Sequence, residues 1–258
     1  MQPKVRFGYA GAGSDAKAIH SFYNTSCNKV DWSNCIFSAH SPLREELRRA
    51  RTDRQELSAI GCYTTMAWQE EARMIRSQRR LFEAEWGKVN GEFMSLLPKM
   101  METQWPADRR YVRAHVSINP ICPRDLDDWS FTIYYLKSVA SMRETVAHET
   151  LHFLYFKKWR EVFPDAERSS FESPQLVWQL SEILTPVILN DSRMKALIGR
   201  KSTAYPQFEA AAIDGRPLMR VFEGIYSWKR ARGKSFADFL KASYEEAKKN
   251  ESDIAFLV

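Results

Sequence analysis

The chain has 258 residues, with 38 basic and 32 acidic side chains and a formal net charge of +6. Apolar residues make up 44% and charged residues 27%, which excludes a disordered or fibrous chain and leaves one large or two small globular domains. No apolar run is long enough to span a bilayer, and the segment from Met1 to Gly8 lacks the apolar core of a secretory signal, so a cytoplasmic protein without membrane association is expected.

In chain order, residues 5–9 and 35–37 are expected to be short strands. Gly11-Ala12-Gly13-Ser14 lies between them. It has neither the G-x-G-x-x-G nor the P-loop continuation, and so reads as a turn rather than a phosphate cradle. From Ser41-Pro42 to about Thr103 the composition is strongly helical. One stretch is marked by Leu43, Leu47, Ala50, Leu57 and Ile60, with Gly61 as a break. A second is marked by Met66, Ala67, Ile75, Leu81, Phe82 and Trp86, and a third by Phe93, Leu96 and Leu97. Residues 1–105 therefore form a mainly helical N-terminal region, with a boundary at Trp105-Pro106-Ala107-Asp108 and a second domain over 106–258.

The helical stretches carry many arginines, among them Arg44, Arg48, Arg49, Arg73, Arg76 and Arg79. Glu45, Glu46, Asp53, Glu56, Glu70, Glu71 and Glu83 interleave with them, so the favoured reading is a solvated face with i,i+4 pairs. Nucleic-acid binding is the alternative. Cys27, Cys35, Cys62 and Cys122 show no C-x-x-C spacing, which argues against a structural zinc and for reduced thiols. A Cys27–Cys35 pair remains open for an oxidising setting.

Beyond the boundary, Tyr111 to Ile118 alternates apolar and polar residues like a half-buried strand, and Asn119-Pro120 ends it. Trp129 to Tyr135 is rich in β-branched and aromatic residues and reads as a second strand. Next comes Thr145-Val146-Ala147-His148-Glu149-Thr150-Leu151-His152-Phe153, an H-E-x-x-H in an apolar, helix-compatible run. Ser141 and Glu144 have capping-box spacing just upstream. Residues four apart share a helix face, so His148 and His152 can reach one cation, and neutral imidazoles suit Zn²⁺. Glu149 sits where a general base for a metal-activated water is needed.

A catalytic zinc takes a third protein ligand. No histidine follows His152, which leaves a downstream acid or His115. Glu182 is favoured, as the lone acid of the long apolar run within Ser173 to Leu189, where an unpaired carboxylate is costly. Ser173 can cap that helix, and Pro174 fits its first position. Glu172, in a polar stretch, is the rival, with His115, Asp165 and Glu167 behind it.

H-E-x-x-H on one helix and a glutamate on a second resemble the gluzincin clan of zinc metallopeptidases. Trp178-Gln179-Leu180-Ser181-Glu182-Ile183-Leu184 is most similar to the compact minigluzincins. The resemblance implies a helix-rich α+β fold: a zincin-like catalytic domain with a small twisted sheet, an active-site helix and a glutamate helix, preceded here by a helical region. It implies peptide-bond hydrolysis of a peptide or protein substrate, with His148, His152 and Glu182 as zinc ligands and Glu149 as base. It also implies that a strand before the active-site helix binds extended substrate. The segment from Trp129 to Tyr135 would fill that role or serve as an ordinary core strand.

Asp214-Gly215-Arg216-Pro217 marks a turn, and Leu218 to Trp228 and Phe236 to Lys248 read as helices. Tyr226 is the candidate oxyanion donor, with a core tyrosine as the plainer alternative. Glu144, Glu161 or a backbone carbonyl are the candidates to orient the ligand imidazoles. The apolar tail from Asp253 to Val258 docks on the body or occupies the cleft. The expected function is a zinc metallopeptidase. A non-catalytic zinc module that binds nucleic acid or a partner is the alternative, and a metal-free helical protein the third.

Overall fold

The computed structural model describes residues 2–25 and 31–254. Cys27 and residues 255–258 lie outside them, and with them the expectations about a Cys27–Cys35 pair and the extreme tail. The fold is helix-rich α+β. Two compact units interleave along the chain. A sheet unit comprises residues 4–88 and 111–146, and a helical unit comprises residues 1–3, 89–110 and 147–258. Trp105-Pro106 falls inside the helical unit, so the division is not the single linker expected there.

In the sheet unit, β1 (Lys4–Tyr9) is followed by α1 (Ala12–Tyr23), α2 (Trp32–Ala39), α3 (Ser41–Arg49), α4 (Asp53–Glu70) and α5 (Ala72–Met100), which continues into the helical unit. Then come β2 (Tyr111–Ser117), β3 (Arg124–Asp125), β4 (Ser130–Tyr134) and the start of α6 (Val139–Val162). The sheet order is β1-β2-β4-β3, with β1, β2 and β4 parallel and β3 antiparallel to β4. Val112, Ala114 and Val116 are buried at every second position of β2, as its alternation predicts. β4 is not an edge strand. β3 pairs with Ser130 and Phe131, and Pro123 O accepts from Thr132 N at 3.0 Å.

Several local expectations are corrected. The 35–37 segment is helical: Asp31 Oδ1 accepts from Asn34 N at 2.8 Å and starts α2, whose Ile36 is fully buried. α4 runs straight through Gly61, because a mid-helix glycine costs only about 1 kcal/mol and Ile60 and Thr64 on either side are fully buried. The second and third helical stretches merge in α5, apart from Met66 and Ala67, which belong to α4. Gly11 is the N-cap of α1 at φ 84°, a conformation that favours glycine, so the glycine-rich segment is a helix start. Ser138, not Ser141, caps α6, its Oγ accepting from Ser141 N at 3.2 Å. Among the described residues no helix is long and apolar enough to cross a membrane.

Two side chains tie the sheet unit together from within. Asp15, 1% exposed, accepts from Ser117 Oγ (2.5 Å), Trp68 Nε1 (2.8 Å) and Ile118 N (3.1 Å), joining α1, α4 and the end of β2. His40 spans Tyr63 Oη at Nδ1 (2.9 Å) and Ile118 O at Nε2 (2.8 Å). Ile118 O can only accept, so Nε2 carries the proton and Nδ1 accepts from the tyrosine.

In the helical unit, the rest of α5 and α6 is followed by α7 (Leu176–Leu189), α8 (Ser192–Ile198), α9 (Pro206–Ala210), the hairpin of β5 (Ala212–Ile213) and β6 (Arg216–Pro217), α10 (Leu218–Ala231), α11 (Phe236–Lys249) and α12 (Glu251–Ile254). α7 is buried almost all round, which explains an apolar run with no polar face. It starts at Leu176 with Gln175 as N-cap, two residues later than a Ser173 cap would place it. Glu102, just after α5 and at φ 49°, is a second tie. Its carboxylate accepts from Phe236 N at 2.8 Å at the start of α11 and pairs with Lys229 at 3.5 Å, while its carbonyl accepts from Lys158 Nζ at 2.8 Å.

Candidate metal centre

α6 presents His148 and His152 one turn apart, and α7 presents Glu182; all three belong to the helical unit. The spacing of four puts both imidazoles on one face, their ring centroids 4.7 Å apart. Phe156, a further turn along, stacks on His152 at 17° and fixes that ring. The three groups close a triangle: His152 Nε2 to His148 Nε2 2.9 Å, His148 Nε2 to Glu182 Oε2 3.0 Å, and His152 Nε2 to Glu182 Oε1 3.4 Å.

The donor set fits a zinc ion. Ligand atoms about 2.0–2.2 Å from a tetrahedral Zn²⁺ lie about 3.3–3.6 Å from one another; the 3.4 Å edge falls in that range, and the 2.9 and 3.0 Å edges would open slightly around an ion. The chemistry points the same way. Each imidazole nitrogen has a single in-plane direction in which to donate or accept, so a hydrogen bond satisfies a pair. Three lone-pair bearers meeting at one place suit a shared cation.

Burial is uneven. The side chains of His152 and Glu182 are 0% and 1% exposed and that of His148 is 20%, so the triangle meets solvent on the His148 side. Glu149, the next residue on α6, is buried as well. A carboxylate as deep as Glu182 needs compensation, and the two imidazoles beside it supply a place for a cation.

The rivals lie elsewhere. Glu172 is in the loop before α7 and pairs with Arg168 at 2.5 Å. His115 is on β2 of the sheet unit, and neither Asp165 nor Glu167 joins the triangle among the described residues. Glu161 is engaged by Lys157 and Lys158 and by Thr103 Oγ1 at 2.8 Å.

Tyr226 does not join the triangle. Its hydroxyl donates to Asp191 Oδ2 at 3.5 Å, beside Arg193 and Arg230. Asp191 lies nine positions past Glu182 and beyond the end of α7, about 13 Å away at the helical rise. Burial, then the Asp191 charge, pushes the Tyr226 phenol up to about 12. The oxyanion assignment drops out: a tyrosine following the glutamate helix in sequence packs at that helix's far end.

Sequence reasoning missed the buried Asp15, His40 and Asp191 and the more exposed Glu102, polar groups that hold the helices together. Each has a partner 35 to 134 residues away in the chain, so local spacing alone does not mark them. No family model, curated protein or solved structure matches the chain.

Proposed function

We propose that the chain is a zinc-dependent metallopeptidase of gluzincin type, with His148, His152 and Glu182 as metal ligands and Glu149 as general base. The observation that carries this reading is the convergence of two α6 imidazoles with the buried Glu182 carboxylate of α7, at separations of 2.9 to 3.4 Å. A Zn²⁺ ion held there supplies Lewis-acid polarisation of a scissile carbonyl and acidifies a water. The ligand set is of the two-histidine, one-glutamate kind, which leaves one position for water or substrate.

The protein's own contribution is placement and proton transfer. The stacking of His152 on Phe156 and the burial of Glu182 fix two ligands before any ion arrives. Glu149 follows His148 on α6, so its carboxylate issues from the turn that aims the first imidazole. It takes the proton from the attacking water and returns it to the leaving amine.

The test pairs metal content with cleavage. Zinc per chain is measured by elemental analysis on wild type, Glu182→Ala, Glu172→Ala and Glu149→Gln, and each protein is offered a peptide library. Wild type should hold zinc and cleave. Glu182→Ala should lose one zinc equivalent, and Glu172→Ala none. Glu149→Gln should keep its zinc yet cleave about 10² to 10⁴ times more slowly. Undiminished cleavage by Glu149→Gln, or zinc at this site that survives Glu182→Ala, overturns the reading.

A further inference from the structure

A second convergence of ligand-type atoms lies in the sheet unit. His20 is in the last turn of α1, and Asp53 and Glu56, three apart, are in the first turn of α4. His20 Nε2 is 3.1 Å from Asp53 Oδ1 and 3.9 Å from Glu56 Oε2, and one ligand atom from each residue lies within 4.8 Å of the others. Helix dipoles explain why acids sit at the start of α4 and a histidine at the end of α1. They do not explain why the side chains point at one place.

His20 Nε2 is buried and makes no hydrogen bond, although Asp53 Oδ1 is within hydrogen-bonding distance. The oxygen therefore lies off the in-plane axis along which a ring nitrogen donates or accepts. The buried ring nitrogen is thus left without a hydrogen bond, and an ion between the three groups would satisfy it. Glu56 is steadied from outside the group, since Asn24 Nδ2 donates to Glu56 Oε2 at 3.3 Å and to the carbonyl of His20 at 3.1 Å. Partners of this kind orient metal ligands.

We propose that His20, Asp53 and Glu56 form a second site for a divalent metal ion, separate from the His148–His152–Glu182 centre. One imidazole and two carboxylates select a borderline ion such as Zn²⁺, Mn²⁺ or Co²⁺ rather than Ca²⁺, which takes six to eight oxygens. The side chains of His20 and Glu56 are 17% and 21% exposed and that of Asp53 is 80%, so Asp53 closes the site from the solvent side. An ion there joins the end of α1 to the start of α4. The Ile19, Ile36, Leu43 and Ile60 core of this unit draws on those same two helices, so the site braces that core.

The test titrates Zn²⁺ calorimetrically into the chelator-stripped full chain and into His20→Gln, Asp53→Asn and Glu182→Gln. Asp53 is largely exposed, so its variant keeps the fold and reads binding alone. Wild type is expected to show two classes of site. His20→Gln and Asp53→Asn should each weaken one of them by about tenfold or more while leaving the other, and Glu182→Gln should do the reverse. Unchanged binding in Asp53→Asn overturns the second site. A single wild-type event lost only in Glu182→Gln overturns it too, with the peptidase centre standing. A single event lost in Asp53→Asn but kept in Glu182→Gln supports this site and counts against that centre. No binding at all removes both.

Discussion

Asp15 and His40 are buried ionisable groups used as joints, and both carry measurable consequences. Three donors converge on the Asp15 carboxylate, from Ser117, Trp68 and Ile118. Asp15→Ala would strand all three inside the sheet unit, and a cost of about 2–4 kcal/mol is expected in urea denaturation. His40 gives a pH signature instead. Burial pushes its imidazole below the usual range, against the bond to Ile118 O. Its contribution is thus fully present above the unfolded value, about 6.5, and is lost as pH falls through the lower folded value. The wild-type denaturation midpoint should therefore fall as pH drops from about 6.5 towards 5, and His40→Gln should flatten that part of the profile. An identical pH dependence in both proteins would remove His40 as the cause.

At the scale of elements, α4 and α11 each lend themselves to a single substitution. Gly61 is mid-helix, and a Cβ built on it meets nothing within 4 Å. Gly61→Ala should stabilise the protein by roughly 0.5–1 kcal/mol, read as a rise in thermal midpoint. Glu102 caps α11 from outside its own sequence, alongside the Ser235–Asp238 capping box. Glu102→Ala leaves Phe236 N without its acceptor and the buried Lys229 without its partner, and should cost about 1–3 kcal/mol. Glu102→Gln should recover part of that loss.

These elements also show what could be read beforehand. The identities of α6 and α7 were legible, because His148 and His152 repeat at the helical period and Glu182 is the one acid in an apolar run. β1, β2 and β4 were legible from alternation and β-branched content. α2 was misread because Cys35-Ile36-Phe37 is too short a window to show a period, and its start depends on one aspartate cap at Asp31. The starts of α6 and α7 were misplaced by three residues or fewer, which is how far competing caps lie apart.

For the molecule as a whole, pairing distant in sequence outweighs order along the chain. β1 pairs with β2 from Lys4↔Tyr111 to Tyr9↔Val116, so residues on both sides of Trp105 build one sheet. Glu102 and α11 likewise fall on opposite sides of that point within the helical unit. Cutting at 105 should yield two fragments, neither of which folds cooperatively. Residues 1–105 lose the partner of β1, and residues 106–258 lose β1 and the Glu102 tie. A cooperative thermal transition in either fragment alone would contradict this. A linker reading was reasonable from Trp105-Pro106-Ala107-Asp108, but local composition carries no trace of a strand pair formed across a hundred residues. The uneven exposure of the metal triangle, finally, has a kinetic side. With His152 and Glu182 shut away and only His148 reaching solvent, an ion bound as proposed would arrive and depart on the His148 side. Removal by a chelator should then proceed at a rate set by the protein's own opening, levelling off as chelator concentration rises.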